Sequence, residues 1–358
     1  MKIGLIGRPR SGKTTLFHLL TGAHAEAGRP DAGRGVTTGV ARVPDPRVDR
    51  LSALFRPRKT TYATFVVVDL AGVGPDQRAG WQAKEFRDAD ALLHVVRAFP
   101  DPALDPPDPR RDILDLETEL VLADLEVVER RLERLAASLR KRRTEAEARE
   151  QAVLERLVPV LEGGTPLRAL SPEPDEARIL RGFTFLSQKP VLHLVNLEEK
   201  AVADAGRRLA GCGLDDVAAR PRTRVGWVSA AIEMEVARLS GEEQAAFLAE
   251  LGLREPALHR VLADCYTLLG LVSFFTVGED EVRAWPVPGG TRAQDAAGTV
   301  HSDMARGFIR AEVVRYEDLV AAGGSFAEVR ARGRLRLEGK DYPVQDGDVC
   351  HFRFAVGK

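Results

Sequence analysis

The sequence predicts an α/β protein in three parts, and three features of the chain carry that prediction. An apolar run, Ile3 to Gly7, is followed at once by a glycine-bounded loop and a helix-like segment, as at the start of a parallel sheet. Leucines and a valine repeat at heptad spacing between residues 125 and 139, which predicts an antiparallel helical hairpin. From about Phe274 onward, β-prone runs alternate with Gly, Pro and Asp turns. A chain of 358 residues is long enough for two or three domains.

The composition is that of a globular protein. The hydrophobic fraction is 44% and the formal net charge is −1, so any nucleic-acid-binding surface must be local. The sequence contains no apolar run of about 18 residues and begins without a signal-peptide pattern, so we expect a cytoplasmic protein without membrane association. Cys212, Cys265 and Cys350 are far apart and without metal-binding spacing, and we expect them to be reduced thiols.

The segment from Gly7 to Thr14 reads GRPRSGKT and matches the phosphate-loop pattern G-x-x-x-x-G-K-[ST] at every fixed position. Gly7 and Gly12 let the backbone turn its N–H groups inward around phosphates. Lys13 should reach the β- and γ-phosphates, and Thr14 should place its hydroxyl on Mg²⁺. The predicted nucleotide-binding residues of the loop are Gly7, Arg10, Ser11, Gly12, Lys13, Thr14 and Thr15.

A second motif ends a second predicted strand, residues 65–69. Asp69 to Gly72 fits D-x-x-G, in which the aspartate holds Mg²⁺ and the glycine N–H meets the γ-phosphate. Val73 stands where Ras-like proteins carry a glutamine that orients the attacking water. Because valine cannot hydrogen-bond a water molecule, intrinsic hydrolysis is expected to be slow. The predicted catalytic residues are Lys13, Arg10 and Gly72.

A third predicted strand, residues 190–195, ends in N-L-E-E, which stands where GTPases carry the base-reading N-K-x-D motif. An aspartate there accepts from the N1–H and 2-amino groups of guanine, whereas Glu199 has a different reach. Leu197 replaces the lysine with an apolar side chain that can pack on the base, and Asn196 can serve the N6/N7 edge. These changes favour ATP over GTP. The predicted base-side residues are Asn196, Leu197, Glu199, Ser229 and Ala230, the last two in a further strand-end loop.

With these motifs in order, the chain resembles the YchF / Obg-like ATPase family of translation-factor-class P-loop proteins. The resemblance implies a Ras-like α/β domain at 1–110 and 187–271, a helical hairpin insert at 111–186 and a TGS-like β-grasp domain at 272–358. It also implies a preference for ATP and association with ribosomes. Beyond the nucleotide motifs it rests on residues 43–47, 94–99, 117–132, 307–312 and, most specifically, 336–354.

The chain departs from the family pattern at three places. Arg10 replaces an asparagine that related proteins use to hold a monovalent cation near the phosphates. We hypothesise that its guanidinium occupies that charge site, as a finger supplied in cis; the alternative is an arginine that points to solvent. The switch segment Gly28 to Gly39 lacks the usual pattern, and Thr37 or Thr38 is a candidate Mg²⁺ ligand. The loop after Gly72 is shorter than usual. The predicted metal ligands are Thr14, Asp69 and Thr38.

Two basic segments are candidate RNA contacts. One is residues 140–143, at the predicted turn of the hairpin. The other is the alternating set Arg330, Arg332, Arg334 and Arg336, which would share one face if the segment were an extended strand. In both cases the alternative is a solvated surface.

We therefore expect an Mg²⁺-dependent ATPase switch. Whether ATP or ADP is bound would set the orientation of the insert and the C-terminal domain. The expected partner is the ribosome or RNA, reached through those two parts. The alternatives are a nucleotide-gated ribosome- or RNA-binding module with negligible hydrolysis, and a GTP-specific switch. The sequence leaves the oligomeric state open.

Overall fold

The computed structural model describes residues 1–22, 36–70, 86–142 and 144–355. The chain divides into two compact units. The first comprises Met1–Ala41 and Val66–Leu268, and the second comprises Arg42–Phe65 and Leu269–Lys358.

In chain order the described strands are β1 (Lys2–Ile6), β2 (Val36–Arg42), β3 (Lys59–Thr61), β4 (Thr64–Leu70), β5 (Ala91–Ala98), β6 (Val191–Leu197), β7 (Thr223–Val228), β8 (Leu271–Thr276), β9 (Glu281–Pro288), β10 (Phe308–Arg315), β11 (Arg336–Glu338) and β12 (Asp348–Phe354). The described α-helices are α1 (Lys13–Thr21), α2 (Pro46–Phe55), α3 (Pro109–Lys141), α4 (Glu145–Glu162), α5 (Pro174–Arg181), α6 (Ala205–Gly211), α7 (Asp215–Ala218), α8 (Ala230–Val236), α9 (Gly241–Glu250), α10 (Ala257–Leu268), α11 (Ala293–Val300), α12 (Ser302–Arg306), α13 (Tyr316–Ala321) and α14 (Phe326–Ala331). Two 3-10 helices cover Leu167–Ala169 and Glu199–Asp204. Among the helices of the described ranges, none combines the length and apolarity that a membrane crossing needs.

The first unit is built on a sheet whose described strands follow the order β2-β4-β1-β5-β6-β7. β1 pairs in parallel with β4 and β5, and the parallel pairing continues from β5 to β6 and from β6 to β7. The predicted strands at 3–7, 65–69 and 190–195 are confirmed as β1, β4 and β6. Every residue of β6 is buried, as expected for a central strand covered on both faces. The carboxyl ends of these parallel strands meet at one edge of the sheet.

The predicted helical hairpin is confirmed as α3 and α4. Side-chain caps start both helices: Asp108 accepts from the backbone N–H of Arg111, and Thr144 accepts from that of Glu147. Val128 and Leu135 of the heptad seam are fully buried between the helices, with Leu125 and Leu132 packed beside them. The basic run from residue 140 falls at the tip, because α3 ends at Lys141 and α4 begins at Glu145.

A buried polar network joins the hairpin to the sheet. Glu117 of α3 pairs with Arg168, and its second oxygen lies 3.2 Å from His193 Nε2 on β6. His193 Nδ1 in turn lies 3.0 Å from His94 Nδ1 on β5. With a proton on His193 Nε2, facing the Glu117 carboxylate, the Nδ1 of His193 accepts from the Nδ1–H of His94. Burial lowers the pKa of both histidines, which favours their neutral forms.

The second unit has its own mixed sheet, whose described strands follow the order β11-β10-β12-β8-β9-β3. β8 and β9 form an antiparallel hairpin, β10 and β12 are antiparallel, and β12 runs parallel to β8 in the middle of the sheet. Helix α11 covers one face, where three buried alanines pack on Phe274 and Val313. A helix over a mixed sheet with a central parallel pair is the predicted β-grasp arrangement.

Residues 42–65 belong to this second unit, whereas the predicted boundaries placed all of 1–110 with the NTPase part. The reason is strand pairing, since β3 runs parallel to β9. Asp45 caps helix α2, and Arg47 bridges Asp45 and Asp346 while lying 5.0 Å above the Phe275 ring. The family-like stretch 43–47 therefore has a structural role within the second unit.

The prediction of a single basic strand face at Arg330 to Arg336 was wrong. Arg330 lies in helix α14 and Arg336 in strand β11. Gly333 between them has a φ of 68°, and the N–H of Arg334 returns to the carbonyl of Val329 as a helix C-cap. Arg336 is also held by Tyr342 and Asp348, so the four arginines do not form one ridge.

Candidate nucleotide site

The phosphate-loop motif forms the turn between β1 and α1. Two of its glycines are required by geometry as well as by chemistry. Gly7 has a φ of 146°, and a Cβ there would lie 2.4 Å from the carbonyl oxygen of Val95 on β5. Gly12 has a φ of 97°, and a Cβ there would lie 2.4 Å from Asn196 Nδ2. Any side chain at either position would push the loop off the two strands that support it.

The ammonium group of Lys13 lies over this loop. Its Nζ donates to the carbonyl oxygens of Gly7 at 2.7 Å and Arg8 at 2.8 Å. Burial lowers the pKa of Lys13, while the nearby Asp69 carboxylate opposes that shift. The charge that the motif assigns to the β- and γ-phosphates is therefore directed into the loop and lies close to the predicted metal-binding aspartate.

Two of the predicted metal ligands carry oxygen donors of the kind that Mg²⁺ prefers. Asp69 is buried near the carboxyl end of β4, in register with Leu5 of β1, and Thr14 is exposed in the first turn of α1. A carboxylate and a hydroxyl are the oxygen donors that Mg²⁺ takes together with water and phosphate oxygens. Thr38 is an exposed residue of β2, and its assignment as a ligand stays a prediction.

Asn196 joins the phosphate side of the site to the base side. Its Nδ2 donates to the carbonyl of Ser11 at 3.0 Å, and its Oδ1 accepts from the backbone N–H of Ala230 at 3.0 Å. The side chain is buried, and both its nitrogen and its oxygen are hydrogen-bonded, so it holds the two loops together as a brace. One Nδ2–H and one lone pair of Oδ1 remain for a further partner, such as a purine N7 or an amino group.

A cavity of about 440 Å³ opens beside the phosphate loop, and four of the five predicted base-side residues line it, all but Ser229. Gly12 and Thr15, from the phosphate loop and the helix that follows it, line this cavity together with Leu197 and Glu199. Leu197 is only 4% exposed and also belongs to the sheet core, whereas Glu199 is exposed at the start of a 3-10 helix. The remaining lining residues are Phe99, Pro100, Asn196, Glu198, Lys200, Ala230, Ala231 and Met234.

The serines of the two loops are buried. Ser11 is 1% exposed and contributes the carbonyl that Asn196 holds. Ser229 is 2% exposed and immediately precedes helix α8. The use of backbone groups at Ser229 and Ala230 to contact the base stays a prediction.

Arg10 has a different environment from the one hypothesised. Its guanidinium forms a two-point ion pair with Asp101, with Nε–Oδ2 at 2.8 Å and Nη2–Oδ1 at 3.1 Å. Its φ of 61° is a left-handed conformation that costs a non-glycine residue roughly 1–2 kcal/mol. The arginine does not point freely to solvent, and a finger role would require this pair to open. Nothing in the sequence pattern indicated Asp101.

The remaining predicted residues lie outside the described part of the chain. Gly72 and Val73 fall within 71–85, and most of the switch segment falls within 23–35. Their proposed roles at the γ-phosphate stay predictions.

A phosphate loop at the end of one central strand, an aspartate near the end of its neighbour and an asparagine-braced cavity beside them define a P-loop NTPase. Comparisons with known proteins agree. Residues 2–131 match the MMR_HSR1 family, described as 50S ribosome-binding GTPase, and residues 271–355 match YchF-GTPase_C, described as a protein of unknown function (DUF933).

Relatives match this chain along almost its full length. The "Ribosome-binding ATPase YchF" of Bacillus subtilis (strain 168) is 40% identical over 363 residues, covering 99% of both chains. The protein of the same name from Haemophilus influenzae is 40% identical over 368 residues, also covering 99% of both. A solved structure, "Structure of the Schizosaccharomyces pombe YchF GTPase", superimposes with a TM-score of 0.83 at 29% identity, covering 99% of this chain and 97% of that one. The chain belongs to the YchF family.

Proposed function

We propose that this chain is an ATP-binding and slowly ATP-hydrolysing switch that works on the ribosome in the cytoplasm. The observation that carries the proposal is the double hydrogen bond of Asn196, which links the phosphate loop to the loop at Ala230. Because of that brace, the phosphate-binding turn and the neighbouring cavity form one site of the size and polarity that a nucleotide needs.

The residues take distinct roles in this proposal. Lys13 and the loop amides bind the β- and γ-phosphates, and Thr14 and Asp69 hold Mg²⁺, which neutralises phosphate charge when bound. The Gly72 N–H would meet the γ-phosphate. No side chain is assigned as a general base, which agrees with phosphoryl transfer, where positioning and charge stabilisation carry most of the rate.

Adenine is the proposed base. Glu199 stands at the cavity wall where guanine-specific proteins present an aspartate, and the bacterial relatives are named ATPases. GTP is the second candidate, since the solved Schizosaccharomyces pombe relative is named a GTPase.

The ribosome is the proposed partner, because the bacterial relatives are named ribosome-binding. The hairpin tip is the proposed contact. Arg140, Lys141 and Arg142 are exposed there, and within the described residues none of them pairs with a carboxylate. By contrast, several exposed arginines along the hairpin shaft pair with carboxylates, as in Arg130–Glu126 and Arg149–Glu145, although the exposed Arg134 has no carboxylate partner among the described residues. Unneutralised cations at the end of a long helix suit the phosphate backbone of RNA. The C-terminal unit is the second proposed contact.

Sedimentation with purified ribosomes tests this function. The wild-type chain is expected to pellet with ribosomes to different extents in MgADP and in a non-hydrolysable MgATP analogue. Replacing Arg140, Lys141 and Arg142 by Gln is expected to weaken ribosome binding roughly tenfold at about 0.15 M salt. It should also reduce the slope of log affinity against log salt concentration by about two to three, since each lost phosphate contact lowers that slope by about 0.7–0.9.

The matched control replaces three shaft arginines by Gln, each of which already has a carboxylate partner: Arg130, Arg131 and Arg149. It should bind ribosomes like the wild type. Equal weakening by tip and shaft variants would contradict the tip assignment. A wild type that fails to pellet in either nucleotide would contradict the ribosomal function itself.

A further inference from the structure

Asp101 holds a phosphate-loop arginine by two contacts. The Arg10 guanidinium lies against both carboxylate oxygens of Asp101, with Nε–Oδ2 at 2.8 Å and Nη2–Oδ1 at 3.1 Å. The Asp101 side chain is 9% exposed, while that of Arg10 is 59% exposed. The carboxylate is therefore the fixed partner and the arginine the movable one.

Asp101 is itself firmly placed at the edge of the nucleotide site. It follows the carboxyl end of β5, and the two residues before it, Phe99 and Pro100, line the cavity. Its Oδ1 accepts from the backbone N–H of Ala103 at 3.0 Å, and its carbonyl accepts from the N–H of Leu104 at 3.0 Å. The carboxylate thus stays in position whether or not the arginine is on it.

The ion pair between Arg10 and Asp101 affects how the arginine can act in ATP hydrolysis. During hydrolysis the water oxygen forms a new bond to the γ-phosphorus. The bond to the bridging oxygen breaks, and its electron pair leaves with ADP. The water proton passes to the phosphate product. A guanidinium keeps its own protons in this step and acts by donating to the oxygens on which charge develops. While Asp101 holds Arg10, the Nε–H and one Nη2–H are engaged with the carboxylate, and only the Nη1 edge is free to donate.

We propose that Asp101 is a positioning residue that holds Arg10 away from the phosphates, and that release of this Arg10–Asp101 latch delivers the guanidinium to the γ-phosphate during ATP hydrolysis. The inference rests on the proposed ATPase function and adds a regulated step to it. A half-exposed ion pair is weak, so the triphosphate competes with a single carboxylate for the arginine.

The test is a double-mutant cycle read by single-turnover hydrolysis of MgATP. Asp101→Asn removes the charge but keeps an acceptor for the Ala103 N–H. It is expected to raise the rate of the chemical step by up to about fivefold, the range of an exposed ion pair, with little change in the Kd for MgATP. Arg10→Ala is expected to slow the step by at least about a hundredfold. In the Arg10→Ala background, Asp101→Asn should have no effect.

Two further measurements separate the latch from a merely structural role. Asp112→Asn is the matched control, because it removes one carboxylate from the other loop arginine, Arg8, which keeps Asp115. It should not accelerate turnover. K⁺ should stimulate hydrolysis by the Arg10→Asn variant more strongly than hydrolysis by the wild type. In the wild type the arginine already supplies the positive charge that a monovalent cation would bring to the phosphates.

Two results overturn the latch. One is faster hydrolysis in Asp101→Asn that persists in the Arg10→Ala background. The other is no faster hydrolysis in Asp101→Asn when Arg10 is present. If the wild type binds MgATP but does not convert it, the hydrolytic part of the proposed function fails separately. The latch is then judged by binding of MgADP with aluminium fluoride. Asp101→Asn should tighten that complex only when Arg10 is present, and equal binding overturns the inference.

Discussion

Replacing Lys13 by alanine is expected to weaken MgATP binding by about a hundredfold and to abolish single-turnover hydrolysis. The Lys13 Nζ donates to two loop carbonyls and is a partly buried cation of the phosphate loop, close to Asp69. Hydrogen bonds to charged groups contribute about 1.5–3 kcal/mol each, so losing two at the phosphates removes roughly 3 kcal/mol or more. That is about two orders of magnitude in Kd. Equilibrium titration with a fluorescent ATP analogue and quench-flow measurement of ADP formation provide the two readouts.

Lys189→Ala is the matched control. Lys189 is also partly buried, donates to two backbone carbonyls, those of Arg87 and Ala89, and has a pKa lowered by burial. It lies away from the phosphate loop, so its loss should reduce stability without changing nucleotide affinity. If Lys13→Ala retained wild-type affinity for MgATP, the assignment of this loop as the phosphate site would be wrong.

Arg168→Ala is expected to destabilise the first unit by about 3–5 kcal/mol, because it leaves Glu117 buried and without its main partner. Glu117 is 5% exposed and Arg168 is 2% exposed. Burial alone would raise the pKa of Glu117. The hydrogen bond from His193 and the charge and hydrogen bond of Arg168 outweigh burial and lower that pKa to about 2. The measurement is the midpoint of urea unfolding followed by circular dichroism.

A double variant tests the cause of that loss. Replacing Glu117 by Gln and Arg168 by Met together should recover much of the stability, since no buried charge remains. Arg130→Ala, which breaks the exposed pair with Glu126, should change stability by no more than about 0.5 kcal/mol. Equal losses from Arg168→Ala and Arg130→Ala would show that the buried network does not hold the hairpin to the sheet.

The sequence was most informative where the residues of one motif follow each other directly in the chain. Gly7 to Thr14 contains the strand exit, the loop glycines and the cation, so the phosphate loop was predictable to the residue. Strands β1, β4 and β6 were predictable because central parallel strands are apolar on both faces. The hairpin was predictable because its heptad seam persists over several turns.

The parts that escaped prediction depend on contacts between distant segments. Residues 42–65 join the second unit through the pairing of β3 with β9, which leaves no local signal. Asp101 and the Glu117–Arg168 pair likewise act through partners far away in the chain. Asn196 lines the cavity beside the phosphate loop, but its role as a brace appears only once Ser11 and Ala230 are brought together. The arginines around Gly333 showed a period of two without forming a strand.

Selection of ATP is central to the proposed function, and the most direct measurement is the binding of fluorescent ATP and GTP analogues with Mg²⁺, side by side, to the wild type and to Glu199→Asp. The wild type is expected to bind ATP at least about tenfold more tightly than GTP, a difference of about 1.4 kcal/mol. The shorter aspartate should shift that preference toward GTP, because it can accept from the N1–H and 2-amino groups of guanine. Tighter binding of GTP by the wild type would contradict the proposed selectivity and make the protein a GTP-dependent switch.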